Sequence, residues 1–131
     1  LGSGEPPVEL FGTDYLTADG SCVRDYVHVK DIAQAHILAL KRIDDLSGRA
    51  YNLGNGSGSS VIEVIKAARQ ITAAAIPVKT CPRRQGDPSV LVASSEKAKE
   101  ELGWSPRFTG LEDIIGSAWT WMREHPKGYG E

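Results

Sequence analysis

Arg83 and Arg84 sit side by side, with Asp87 three residues later, in a segment flanked by proline and glycine. Guanidinium forks match the oxygens of a phosphate, and each charge-assisted hydrogen bond is worth about 1.5–3 kcal/mol. A nearby carboxylate could accept from ribose hydroxyls. Spacing alone reads such a loop as surface charge, unless the fold brings partners to it. Arg24 and Tyr26 are the first candidates. In Val23–Val29, residues Val23, Asp25, Val27 and Val29 alternate with Arg24, Tyr26 and His28. A strand here would send the second set to one side, facing either solvent or a ligand.

Other spacings invite chemistry and withhold it. Tyr26 and Lys30 form a Y-x-x-x-K pair. That pair works on a helix, where an ammonium four residues away can lower a phenol's pKa. On a strand the same four residues span roughly 13 Å, so Lys30 is a decoy. The turn Gly54-Asn55-Gly56-Ser57-Gly58 has G-x-G-x-G spacing, not the G-x-G-x-x-G of a dinucleotide loop, and reads as a tight turn between strand and helix. His28, His36 and His125 have no metal-ligand spacing with one another or with Cys22 and Cys81. Trp104, Trp119 and Trp121 read as packing residues.

The elements that must position these groups follow from periodicity and punctuation. Val8–Phe11 and Pro77–Cys81 read as strands, and Ala50–Leu53 as a short strand entering the glycine turn. Asp31 is the expected cap of a helix running to about Leu46 and closed by Gly48. Ser60-Val61-Ile62-Glu63 is a capping box opening a second helix with Val61, Val64, Ile65, Ala68 and Ile71 on one stripe. Ser94 or Ser95 starts a short helix that Gly103 ends. Thr109-Gly110-Leu111-Glu112 reads as another capping box, and His125-Pro126 stops its helix. Strands mixed with longer helices give an α/β class, α+β for this chain taken alone.

The 131 residues amount to one domain at most, and 40% apolar with 24% charged is a globular composition. No apolar run approaches the roughly 18 residues that cross a bilayer, and no stretch reads as a signal peptide. The formal charge of −2 gives no reason to expect a nucleic-acid or membrane partner. Two distant cysteines read as reduced, mostly buried thiols, which suits the cytoplasm. Leu1 to Pro7 reads as a helix end followed by a breaker-rich loop, which suggests a truncated chain.

Taken in order, several strings resemble the UDP-galactose (UDP-glucose) 4-epimerase family. They are Phe11-Gly12-Thr13-Asp14-Tyr15, Asp19-Gly20, Val23-Arg24-Asp25-Tyr26-Val27-His28-Val29, Tyr51-Asn52-Leu53-Gly54, Pro82 to Asp87, Glu101-Leu102-Gly103-Trp104 and His125-Pro126-Lys127-Gly128-Tyr129. The resemblance covers nearly the whole chain and matches the family's C-terminal part. It implies an extended short-chain dehydrogenase/reductase, in which an N-terminal Rossmann domain holds NAD and a smaller part holds UDP. Residues 1–131 would be the UDP-sugar-binding part, with 31–54 packing against the NAD-binding domain. In such enzymes a tyrosine takes the sugar 4-OH proton while hydride passes to NAD. The keto sugar then turns over and takes the hydride back on its other face, so UDP must be held firmly and the hexose loosely.

Residue by residue, the resemblance implies that Leu10 and Phe11 flank the uracil and that Arg24 and Arg84 clamp the diphosphate. Tyr26 and Val61 would wall the nucleotide pocket, and Asp87 would accept from the ribose hydroxyls. Leu91 falls where side-chain volume is linked to admission of N-acetylated sugars, and leucine is intermediate. The family's cofactor loop and helix-borne Y-x-x-x-K have no counterpart here, so no catalytic residue is expected in this chain. The resemblance also implies a homodimer for the full-length enzyme. A UDP-pentose 4-epimerase, another nucleotide-sugar enzyme or a non-catalytic nucleotide-binding module are the competing readings. Ile32, Ile37, Leu38, Leu40 and Ile43 spread around most of one helix and cannot all face one small core. The chain by itself is therefore expected to self-associate.

Overall fold

The structure, a computed structural model, describes residues 6–129. The helix end expected before Pro6 lies outside them. Strand β1 (Val8–Phe11) pairs in parallel with β4 (Val78–Cys81), with Val8 opposite Val78 and Phe11 opposite Cys81. A second sheet has the order β3-β2-β5, built from Ser59–Ser60, Val23–Arg24 and Val90–Leu91. Arg24 lies between Ser59 and Leu91 in its register. Helices α1 (Val29–Leu40) and α2 (Ile43–Leu46) follow β2, and α3 (Val61–Thr72) follows β3. Helices α4 (Glu96–Leu102) and α5 (Leu111–Glu124) complete the chain.

Two apolar groups result. Beneath the strands, Leu10, Tyr15, Cys22, Ile65 and Ala67 are buried, and α3 lies against α5. The other group packs Ala35 of α1 and Leu46 of α2 against Ala98, Leu102 and Trp104. Trp104 is 1% exposed, and its indole N–H donates to the Asp31 carbonyl at 2.8 Å. A buried indole keeps its large apolar area only if that N–H finds an acceptor, which the first turn of α1 supplies here.

Several expected elements are corrected. The strand over Val23–Val29 ends at Arg24, because its neighbours offer only two residues each for the ladder. Helix α1 is capped by His28, not Asp31: the His28 Nδ1 accepts from the Lys30 amide at 3.0 Å. With Nδ1 accepting, the proton sits on Nε2, which donates to Ser117 Oγ at 2.8 Å and ties α1 to α5. Asp31 is instead buried in the first turn, where it accepts from the Phe108 amide. The helix does not run unbroken to Leu46. It turns at Lys41–Arg42, where the Arg42 guanidinium donates to the Glu101 carbonyl, and α2 then carries Leu46 into the core. Ala50–Leu53 forms no strand, since no ladder partner exists among the described residues. The cap of α5 is Gly110 without a side-chain bond, so the capping box expected there is absent.

Candidate functional site

A cavity of about 260 Å³ opens between the two sheets, walled by Phe11, Arg24, Val61, Arg84 and Asp87, with Glu9 and Cys22 completing it. Each wall comes from a different local cause. Phe11 ends β1, and Gly12 turns the chain at φ +78°, where a Cβ would lie 2.4 Å from the Tyr15 ring. Only glycine fits that turn. Val61 is the first residue of α3, fixed by the Ser60–Glu63 capping box that the sequence announced. Arg24 ends the two-residue β2, and Arg84 and Asp87 belong to the loop after β4.

Arg24 forms an ion pair with Asp87, and its other terminal nitrogen donates to the Val23 carbonyl at 2.7 Å. The Cys22 thiol donates to the second Asp87 oxygen at 3.8 Å. The Arg84 guanidinium lies 3.8 Å from the Phe11 ring centre, a cation–π stack that leaves its N–H edge to other acceptors. Arg83 points elsewhere: it stacks on Tyr15 at 4.2 Å and bonds Asp14 at 2.8 Å. The hydrogen bond to Asp14 raises the Arg83 pKa and holds the Asp14 carboxyl below its ordinary range. Of the adjacent arginines, only Arg84 is available to the cavity.

A second cavity of about 510 Å³ shares Arg24 and runs along β5, past Leu91, Asn52, Leu53 and Ser94. Leu91 is 60% exposed there. Leu10 is buried behind the first cavity and touches neither space. Tyr26 stands half-buried next to Arg24 but is on neither wall. Burial raises its phenol pKa, with the Arg24 charge opposing that shift. Thus Phe11, Arg24, Val61, Arg84 and Asp87 come together, Leu91 joins through Arg24, and Leu10 and Tyr26 stay outside. Cys22 and Glu9 were not anticipated. The same alternation that aligned Arg24 with Tyr26 extends back to Cys22 and could have found it.

The start of α3, just after the glycine turn, is no phosphate cradle. The Val61, Ile62 and Glu63 amides at the start of α3 already donate to the Cys22 carbonyl, Ser21 Oγ and Ser60 Oγ, at 3.0, 3.3 and 3.0 Å. An anion there would find no free N–H at the helix end. These residues do not fit a dinucleotide.

The chain matches the family described as GDP-mannose 4,6 dehydratase over residues 12–117. It is 54% identical over 124 residues to the UDP-glucose 4-epimerase of Halalkalibacterium halodurans, covering 93% of this chain and 37% of that protein. It superposes with TM-score 0.87 and 49% identity on a crystal structure of a UDP-glucose 4-epimerase, over 97% of this chain and 39% of the other. The UDP-glucose 4-epimerase of Bifidobacterium longum, solved in complex with NAD+ and UDP, gives TM-score 0.86 and 39% identity, over 97% of this chain and 38% of that one. The chain therefore spans well under half the length of the relatives it matches.

Proposed function

The chain belongs to the extended short-chain dehydrogenase/reductase family, and from that premise we propose that it is the UDP-sugar-binding part of an NAD-dependent UDP-glucose/UDP-galactose 4-epimerase serving galactose metabolism. The observation that carries this reading is the cavity at which Arg24, Arg84 and Asp87 converge beside Phe11 and Val61. The uracil lies against Phe11 and Val61, the diphosphate takes the free edges of Arg84 and Arg24, and Asp87 accepts from the ribose. Leu10 supports Phe11 from behind, and Tyr26 flanks Arg24. The sugar projects along β5 past Leu91, in the second cavity.

Epimerisation at C4 is redox chemistry that bound NAD supplies, and the residues described above do not hold that cofactor. This chain therefore binds and orients: it fixes the unreactive nucleotide and leaves the hexose free to turn. By itself it does not interconvert UDP-glucose and UDP-galactose. We place the rest of the enzyme on residues 31–54. Ile37 and Leu40 of α1 are 53% and 68% exposed on the face away from Trp104, and Ala50–Leu53 has no ladder partner among the described residues. In the full-length protein, a homodimer working in the cytoplasm, that face is covered.

The test is turnover by the full-length protein on a panel of UDP-hexoses, UDP-N-acetylhexosamines and UDP-pentoses. The reading expects UDP-glucose and UDP-galactose to be interconverted, and Leu91→Tyr to depress activity on UDP-N-acetylglucosamine well beyond any change on UDP-glucose. Failure to bind UDP, or a preference for another nucleotide, would overturn the reading.

A further inference from the structure

Asp25 follows Arg24 at the end of β2, and each of its carboxylate oxygens accepts one backbone amide. Oδ1 takes the Asn55 N–H and Oδ2 the Ala93 N–H, both at 3.1 Å. Asn55 carries the junction further, since its Nδ2 donates to the Tyr26 carbonyl at 2.9 Å and reaches the Thr109 carbonyl at 3.5 Å. Its Oδ1 closes the turn by accepting from the Ser57 amide at 2.8 Å. Gly54 is the filler. A Cβ on it would lie 2.3 Å from Asp25 Oδ2 and 2.7 Å from the Ala93 carbonyl.

The junction has a mechanical reason. Arg24 sits on a strand only two residues long, paired to partners equally short. Such a ladder has too few bonds to hold a side chain in one place. Where the ladder stops, the Asp25 carboxylate takes over the amides of both neighbouring segments, and so locks β2 to the glycine turn and to the exit of β5. Asp25 also lines the second cavity, and each of its oxygens already holds a backbone amide there.

We propose that Asp25 is a positioning residue that sets Arg24 and Leu91 for the nucleotide sugar. This rests on the UDP-sugar reading given above. Asp25 acts through the register of β2 and β5, so its loss strikes the part of the ligand that Arg24 holds, the diphosphate, more than the uracil. Asp25→Asn is the informative change, because its new NH2 group faces an amide N–H where an acceptor stood.

Binding of UDP and of uridine to the full-length protein is measured by calorimetry, with and without Arg24→Ala. Loss of one charge-assisted bond at the junction predicts that Asp25→Asn weakens UDP about tenfold and uridine less than about twofold. In the Arg24→Ala background the further loss of UDP affinity is expected to fall below about twofold, because the coupled partner is gone. Equal weakening of UDP and uridine, or an undiminished effect without Arg24, would overturn the proposal, as would no effect at all. Should Asp25→Asn not fold, Asn55→Ala removes the Nδ2 donors and the Oδ1 acceptor of the same junction without adding charge and must give the same phosphate-selective loss, or the proposal falls. If the unsubstituted protein binds no UDP, the UDP-sugar reading itself falls and carries this inference with it.

Discussion

The strand-built end of the molecule and the helical end around Trp104 are held together by opposite means. At the first, two-residue strands are braced by polar bonds from Asp25, Asn55, Ser60 and Asp19, and Arg24 is paired with Asp87 at the cavity. At the second, α1, α2 and α4 close on an apolar knot, while the outer face of α1 leaves Val29, Ile37 and Leu40 in solvent, as does Ile43 of α2. The polar end can meet a ligand delivered from water, because its unused groups are guanidinium edges. The helical end can lower its free energy only against another apolar surface. On the proposed reading, the contrast is that between an end that meets a small molecule and an end that meets more protein.

Trp104→Ala should break the comparison at its strongest point. The side chain is 1% exposed and anchors both helices, so its removal is expected to cost about 3–5 kcal/mol by denaturant titration. An effect under about 1 kcal/mol would mean that the helical end does not depend on this knot.

Next come the cavity arginines. Arg84→Ala and Arg24→Ala in the full-length protein should each raise KM for the UDP-sugar roughly thirtyfold, or about 2 kcal/mol. The Arg24–Asp87 pair is partly exposed, at 22% and 26%, so unfolding stability should change by less than about 1 kcal/mol. Arg83→Ala, already committed to Asp14 and Tyr15, should leave KM nearly unchanged. Equal effects at Arg83 and Arg84 would dissolve the assignment of Arg84 to the cavity.

The bare face of α1 gives a third test. The 131-residue chain purified alone is expected to self-associate, and Ile37→Lys with Leu40→Lys should shift it towards monomer in light scattering. Both sites are already exposed, so the cost to folding should be within about 0.5 kcal/mol. A wild-type chain that is monomeric and binds no hydrophobic dye would show that the exposed face needs no cover.

Within both ends, legibility in the sequence followed distance along the chain. Signals acting over one turn were readable: the Ser60–Glu63 box, Gly103 in its left-handed cap, and the strands Val8–Phe11 and Val78–Cys81. What depended on distant partners was not. Ser59–Ser60 has no strand pattern and becomes one only because Val23–Arg24 lies beside it. His28 caps α1 because Ser117, 89 residues away, fixes its tautomer. The cavity shows the same division. Spacing suggested the Arg84–Asp87 loop and the Arg24 face separately, but nothing local joins residues 63 apart, and only the family resemblance did so.

The last expected effect is a pH-dependent one, where α3 meets the strand end, at Asp19. Burial acts first on this carboxyl and pushes its pKa up. Hydrogen bonds from the Ser60 hydroxyl and from the Ser21 hydroxyl and amide outweigh that and hold it below its ordinary value. A carboxyl depressed in the folded state stabilises the fold above its unfolded pKa, and that contribution disappears as pH falls through the folded value. Ser60→Ala removes both the cap of α3 and one of the bonds that depress Asp19. At neutral pH it should cost about 1–2 kcal/mol. In acid, where Asp19 is protonated in either protein, the cap loss alone should remain, and the gap between wild type and Ser60→Ala should narrow. Urea titrations at neutral pH and in acid decide it: a gap constant across pH would assign the whole cost to the cap and none to the Asp19 carboxylate.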